Sequence, residues 1–234
     1  MNKMAIFVEG YTELVFVDRM VGEIANRNAV LIEWRQVRGG TTTRRTSRQI
    51  KAAGPRAGQE HFILLYDCGG DDAVKSRMVQ EYASLAVAGY SSIVCVRDVY
   101  PKFSHAEIPR LEASLPLYVR TRPIVVEFVL SIMEVEAWFL AEHSHFARID
   151  PAISLTAIRS SLRFDPERDD MQLRLAPAAD LDDCYALAGK RYVKGNAQAT
   201  VDAIDYAEVY AGLAQRFPFL GKLCHAIDDF LKRN

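Results

Sequence analysis

What most restricts the fold of this chain is a regular alternation over its first 130 residues. Short apolar, β-branched runs at 4–8, 29–37, 61–66, 92–96 and 124–130 are each the length of a strand. Stretches with helical spacing lie between most of them: 12–24 carries Leu14, Val15, Val17 and Val21 on one side, 71–88 carries Val74, Met78, Val79, Tyr82, Leu85 and Ala86, and 104–115 suits a shorter helix. Parallel strands need crossover connections and bury both faces, so this order predicts an α/β fold with a mostly parallel sheet flanked by helices. Such sheets place ligands at the carboxyl ends of their strands. From about position 151 the strand signal ceases, and 152–162, 176–187, 197–210 and 219–231 take on helical faces rich in Ala, Leu and charge. The expectation is an α/β domain over 1–145 and a helical C-terminal part over 146–234 packed on it, because no Ser, Gly or Pro-rich linker divides them.

Composition narrows the function classes. At 234 residues, 50% hydrophobic and 25% charged, the chain is neither disordered nor collagen-like. Its 29 bases against 30 acids give a net charge of -1, so any nucleic-acid site must be a local patch. No apolar run approaches the roughly 20 residues that span a bilayer, and the N-terminus lacks the pattern of a signal peptide. A cytoplasmic protein with no membrane partner is the expectation. Cys68, Cys95, Cys184 and Cys224 have no CxxC spacing and read as buried reduced thiols.

The acids fall where strands end. Glu9 follows Ala5-Ile6-Phe7-Val8 and precedes Gly10, and Asp67 follows Phe62-Ile63-Leu64-Leu65-Tyr66 and precedes Cys68-Gly69-Gly70-Asp71-Asp72. Asp98 follows 92–97, Glu134 and Glu136 follow 128–133, and Glu13 stands four residues after Glu9. Carboxylates crowded at one sheet edge repel unless cations neutralise them, and Mg²⁺ or Mn²⁺ would do so. Two such ions can activate water and stabilise the leaving oxygen of a phosphodiester. Each acid also has a plainer reading as a helix cap or N-terminal charge: Asp71 and Asp72 open one expected helix, and Thr12 or Glu13 does the same for the first. If the segment after 131 is extended, Glu134 and Glu136 cannot both face one way.

Phe7-Val8-Glu9-Gly10-Tyr11-Thr12-Glu13, followed by Leu64-Leu65-Tyr66-Asp67 and a Gly and Asp-rich turn, resembles the TOPRIM superfamily. That is the Mg²⁺-dependent, Rossmannoid catalytic domain of topoisomerases, bacterial primases and nucleases related to the overcoming-lysogenization-defect proteins. The stretch Ser131-Ile132-Met133-Glu134-Val135-Glu136-Ala137-Trp138-Phe139-Leu140-Ala141, with Arg191-Tyr192-Val193-Lys194 downstream, is similar to a small bacterial TOPRIM-like family of uncharacterised function. The broad resemblance covers about 4–142. It implies Glu9 as metal ligand or general base and Asp67 as metal ligand. The narrower resemblance, which extends weakly to the C-terminus, implies a separately encoded AAA or ABC ATPase as partner in an anti-phage defence module. The second aspartate of the superfamily's Asp-x-Asp motif is replaced here by Gly69. Either Asp71 or Asp72 then reaches the metal, or the second metal site is weakened or absent.

Between Glu33 and Glu60 there is no acid but seven bases, Arg35, Arg38, Arg44, Arg45, Arg48, Lys51 and Arg56, interleaved with Gly39-Gly40-Thr41-Thr42-Thr43. Such a segment after a strand suits phosphate-backbone contacts, with Arg38, Thr41, Arg44, Arg45, Arg48 and Lys51 as contacts and Lys102 and Lys194 as further candidates. The plainer readings are a solvated face, since Arg44, Arg48 and Lys51 stand at helical spacing, or a partner-docking surface. No Walker loop, Gly-x-Ser-x-Gly elbow or His-Glu-x-x-His pair occurs. His143 and His145 read as a surface turn. The residues and the resemblance together predict a metal-dependent nuclease cleaving DNA or RNA. In it Glu9, Glu13, Asp67, Glu134 and Glu136 are catalytic, and Glu9, Asp67, Asp71, Asp72 and Asp98 hold metal. The alternative is a non-catalytic TOPRIM-like subunit that binds nucleic acid or regulates a partner ATPase.

Overall fold

A computed structural model describes residues 1–25, 30–38, 46–55, 58–70 and 73–233. The fold is α/β, with a six-stranded, mostly parallel sheet, flanking helices and a helical C-terminal region. The strands are β1 (Asn2–Val8), β2 (Val30–Arg38), β3 (Thr46–Lys51), β4 (His61–Asp67), β5 (Ser92–Asp98) and β6 (Val125–Ser131), in the order β3-β2-β4-β1-β5-β6. β1 lies between β4 and β5 and parallel to both, and β2 runs parallel to β4. This explains why 4–8 is a continuous apolar run: a central parallel strand is covered on both faces, and Met4 to Val8 are fully buried.

Five of the six strands coincide with the expected runs. β3 does not. Its sequence Thr46-Ser-Arg-Gln-Ile-Lys51 is polar and wholly exposed, so it carries no hydrophobic period. It exists by pairing antiparallel to the edge of β2, with Arg38 opposite Thr46 and Trp34 opposite Lys51. The helical spacing of Arg48 and Lys51 is thereby corrected: both stand on an extended strand, where residues three apart point to opposite faces.

The chain divides into two compact units: one formed by Met1–Arg97, Arg110–Val129 and Leu223–Asn234, the other by Asp98–Pro109 and Leu130–Lys222. In the first, α1 (Tyr11–Ala25) buries Leu14, Val15, Phe16, Val17, Met20 and Val21, and α2 (Ala73–Val87) buries Val74, Met78, Tyr82 and Leu85. Phe7 stacks on Tyr66 at 5.1 Å between ring centroids. The chain's last residues belong here, with the Phe230 ring edge-on to His61 and the Arg233 carbonyl accepting from Asn2. A short helix α3 (Ile108–Ser114) begins after the 3₁₀ turn His105–Glu107.

The second unit is mostly helical: α4 (Glu136–Ala141), α5 (His145–Ile149), α6 (Leu155–Leu162), α7 (Pro177–Ala186), α8 (Gln198–Ala203), α9 (Tyr206–Glu208) and α10 (Ala214–Arg216), with the start of α11 (Pro218–Leu231). The helix expected over 197–210 is interrupted. Ile204 is extended, and the Asp205 carboxylate caps a new start by accepting from the Ala207 and Glu208 amides. Trp138, Phe139 and Leu140 are core residues. Among the described residues no helix is long and apolar enough to cross a membrane.

Candidate functional site

Of the strand-end acids, the first unit carries Glu9 and Asp67, with Glu13 in α1. Val8 pairs with Asp67 across β1 and β4, so Glu9, the next residue, stands beside the turn that follows Asp67. Backbone hydrogen bonds tie the two turns together: Cys68 N–H donates to Val8 O and Gly70 N–H to Glu9 O, both at 2.9 Å. The turn needs its glycines. Gly69 and Gly70 have φ of +74° and +140°, which L side chains rarely adopt. Glu9 and Asp67 are both buried.

Asp67 is held from two sides. Its Oδ1 accepts the Gly69 amide at 2.9 Å and its Oδ2 accepts Gln36 Nε2 at 2.8 Å. Each carboxylate oxygen has a second lone pair, so an oxygen donor remains for a hard cation. Glu13 has a local duty: it is the third residue of α1, and its Oε2 accepts the Gly10 amide at 3.0 Å. That is the acidic half of a helix-capping box. Cys68 reports how closely the charges gather, since burial, Asp67, Glu9 and Glu81 all push its thiol up while Arg77 pulls it down. Burial likewise raises Cys95, which also feels Cys68. Both are inert packing thiols, and all four cysteines are free and buried.

Of the basic segment, Thr41, Arg44, Arg45, Arg56, and likewise Asp71 and Asp72, lie outside the described residues. Arg38 ends β2, parallel to β4, whose Asp67 is opposite Gln36. Arg48 is exposed on β3. Lys51 donates to Asp18 at 2.8 Å and lies over the Trp34 ring at 4.5 Å. Its charge is therefore shared with the protein.

The second unit holds Asp98, Glu134, Glu136 and Lys194 in one arrangement. β6 ends at Ser131, and the chain then turns through Met133, a non-glycine residue with φ of +62°. Such a residue stores about 1 kcal/mol or more of backbone strain. Because the segment is turned rather than extended, both glutamates face the same ammonium. Lys194 Nζ lies 2.8 Å from Glu134 Oε1, 3.4 Å from Asp98 Oδ2 and 3.9 Å from Glu136 Oε2. The opposite oxygen of each acid is fixed by a different donor. Ser131 hydroxyl binds Asp98 Oδ1 at 2.5 Å, the Ala178 amide binds Glu134 Oε2 at 3.0 Å, and Tyr192 hydroxyl binds Glu136 Oε1 at 2.6 Å. Burial works against the ammonium, but Glu136, Asp98 and Glu134 outweigh it and hold the Lys194 pKa above the usual lysine range. Lys194 is thus ion-paired to carboxylates, with its side chain 45% exposed.

Lys102 is exposed, whereas Arg191 makes a bidentate pair with Asp182. His145 corrects the surface-turn reading. It is fully buried, its Nδ1 lies 2.6 Å from Glu142 O, and burial lowers its pKa to about 4. Among the described residues no group of three or more His, Cys, Asp or Glu side chains is arranged to hold a metal. Glu9 and Asp67 offer carboxylate oxygens, the donor type that Mg²⁺ and Mn²⁺ take, and Mg²⁺ is commonly held by one or two carboxylates with water and substrate phosphate. The donor set fits such an ion. Sequence reasoning missed Gln36 as the residue that orients Asp67, and Ser131 as the one that orients Asp98. Neither carries a pattern that announces the role.

No family model, curated protein or solved structure matches the chain.

Proposed function

We propose that the chain is a divalent-metal-dependent, TOPRIM-like nuclease acting on phosphodiester bonds of DNA or RNA. The observation that carries this reading is the pair Glu9 and Asp67, buried at the carboxyl ends of adjacent parallel strands whose turns are hydrogen-bonded together. Glu9 and Asp67 would hold Mg²⁺ or Mn²⁺, which supplies a polarised water and charge stabilisation at the phosphorus. Gln36 and the Gly69 amide keep the Asp67 carboxylate oriented, as outer partners of metal ligands do. Glu13 positions the start of α1, and the 38–51 segment supplies backbone contacts. Asp98, Glu134 and Glu136 are assigned to fixing Lys194 rather than to binding metal.

The test is cleavage of labelled plasmid, single-stranded DNA and transfer RNA with Mg²⁺, Mn²⁺ or chelator, with Glu9→Ala alongside. Chelator-sensitive activity that Glu9→Ala loses supports the assignment. Equal activity in a folded Glu9→Ala protein sinks it. Two features favour a second reading, a cytoplasmic non-catalytic subunit that binds nucleic acid or regulates a partner ATPase of an anti-phage module. Gly69 stands where the motif's second aspartate belongs, and both Asp67 oxygens already accept internal hydrogen bonds. Calorimetric Mn²⁺ titration separates the two, because only the nuclease reading expects binding that Asp67→Ala removes.

A further inference from the structure

In the first unit, well along the sequence from Glu9 and Asp67, the chain makes a turn that stability alone would not choose. Val119 N–H donates to Pro116 O at 3.2 Å, closing a four-residue turn whose third residue is Tyr118, with φ of +62°. That position ordinarily goes to glycine or asparagine, which tolerate positive φ. Here it holds a tyrosine whose ring is fully solvent-exposed, at 101% of its reference area. The strain is therefore not repaid by packing of the side chain. Strained residues persist where the surroundings fix them, and here Lys75 of α2 fixes the turn by donating to Ser114 O at 3.2 Å and Leu117 O at 2.9 Å.

Beside this turn lies a cleft of about 300 Å³. α2 supplies Met78, Val79 and Tyr82 to it, and the turn supplies Tyr118, Val119 and Arg120. Val79 in the lining is exposed, as is Leu117, the residue before Tyr118. Its volume is at the small end of the range for ligand pockets, enough for one large apolar side chain. The lining contains no acid, and between Glu112 and Glu127 the chain has only the bases Arg120 and Arg122, both exposed. A nucleobase would want polar groups to read its edges. The Tyr82 hydroxyl is already used, lying 3.1 Å from Ile124 N and 3.4 Å from Ile124 O.

The geometry points to a docking site for an acidic peptide segment of a partner protein. One aromatic or large aliphatic side chain of that segment fills the cleft against Tyr82 and Tyr118, and its carboxylates meet Arg120 and Arg122. An exposed tyrosine with neighbouring arginines is of the residue types enriched at interface hot spots. The site does not depend on the nuclease reading.

The test selects a random 12-residue peptide display library on the wild-type protein, with Tyr118→Gly protein as counter-selection. Glycine suits the turn, so Tyr118→Gly keeps or raises the melting temperature and its folding is not in question. The expected outcome is enrichment of net-negative peptides that carry at least one Trp, Phe, Leu or Ile. The winning peptide, measured by fluorescence anisotropy, binds Tyr118→Gly and Arg120→Ala at least about tenfold more weakly, and binding weakens as salt rises. No enrichment over Tyr118→Gly, enrichment of basic or anchor-free peptides, or equal affinity for both variants overturns the proposal. So does Tyr118-dependent binding of a dT12 oligonucleotide that displaces the peptide, which would make the surface a base-stacking platform.

Discussion

Replacing Lys194 by methionine keeps the length of the side chain and removes an ammonium that lies within 4 Å of three buried acids. At an effective dielectric of about 20, an ammonium 2.8, 3.4 and 3.9 Å from carboxylate oxygens gains roughly 6, 5 and 4 kcal/mol of gross attraction. Most of that is cancelled by the desolvation of the groups involved, and breaking a buried pair by deleting one partner typically costs about 3–5 kcal/mol. The Lys194 side chain is 45% exposed, so solvent screens it and the expected loss falls to about 2–4 kcal/mol. The assay is urea unfolding of wild type and Lys194→Met, followed by circular dichroism at several pH values. The folded pKa of Lys194 is raised above its unfolded value, so its contribution is complete below about pH 10 and fades as pH rises through the folded value. Wild type therefore loses stability in strong alkali along a limb that Lys194→Met lacks. Adding Glu134→Gln to Lys194→Met removes one of the stranded charges and recovers about 1 kcal/mol or more. A Lys194→Met protein within about 0.5 kcal/mol of wild type at pH 7, or one with the same alkaline limb, would refute the electrostatic account.

Four further outcomes follow from single contacts. Tyr192→Phe removes the hydroxyl that binds Glu136 at 2.6 Å and should cost about 2 kcal/mol in the same unfolding assay, because the acceptor is a buried carboxylate. Glu13→Ala exposes the loss of the Gly10 cap as about 1 kcal/mol, while Glu13→Gln, which still offers an acceptor oxygen, loses much less. Gly69→Ala forces a Cβ into a φ of +74° and to 3.4 Å from Val37 O, for a loss of about 1 kcal/mol or more in thermal unfolding. His145 is buried neutral with a pKa of about 4. Its contribution is complete above about pH 6.5 and is lost as pH falls toward 4, by up to about 3 kcal/mol. His145→Gln should flatten that acid limb, and an unchanged limb would show that other groups set it.

How much of the molecule could be read in advance depends on the range of the interaction. Strand β1 and its terminal Glu9 are local facts: an apolar run ends, and a glycine follows. The same holds for Asp67 and the turn after it. β3 was not legible, because Thr46 to Lys51 is exposed along its whole length and is a strand only by virtue of the β2 edge it pairs with. The interruption at Ile204 was missed for a related reason: its flanks are both helical in pattern, and the Asp205 cap that separates them uses a residue type common on any helix surface.

Among the acids the division is sharper. The sequence by itself determined which residues are acidic, that several stand at strand ends, and that an alternating α/β chain would bring strand ends to one edge. It carried nothing about Lys194 meeting Asp98, Glu134 and Glu136, residues 96, 60 and 58 positions away, because a long-range ion pair leaves no periodic trace. The sign of φ at Met133 and Tyr118 was equally hidden, since nothing in either residue type favours a left-handed backbone. Those conformations are imposed by the surrounding hydrogen bonds, and only the folded chain decides them. Local propensity and hydrophobic period wrote the elements, while the pairing of buried charges was settled by which side chains the packing left within reach of one another.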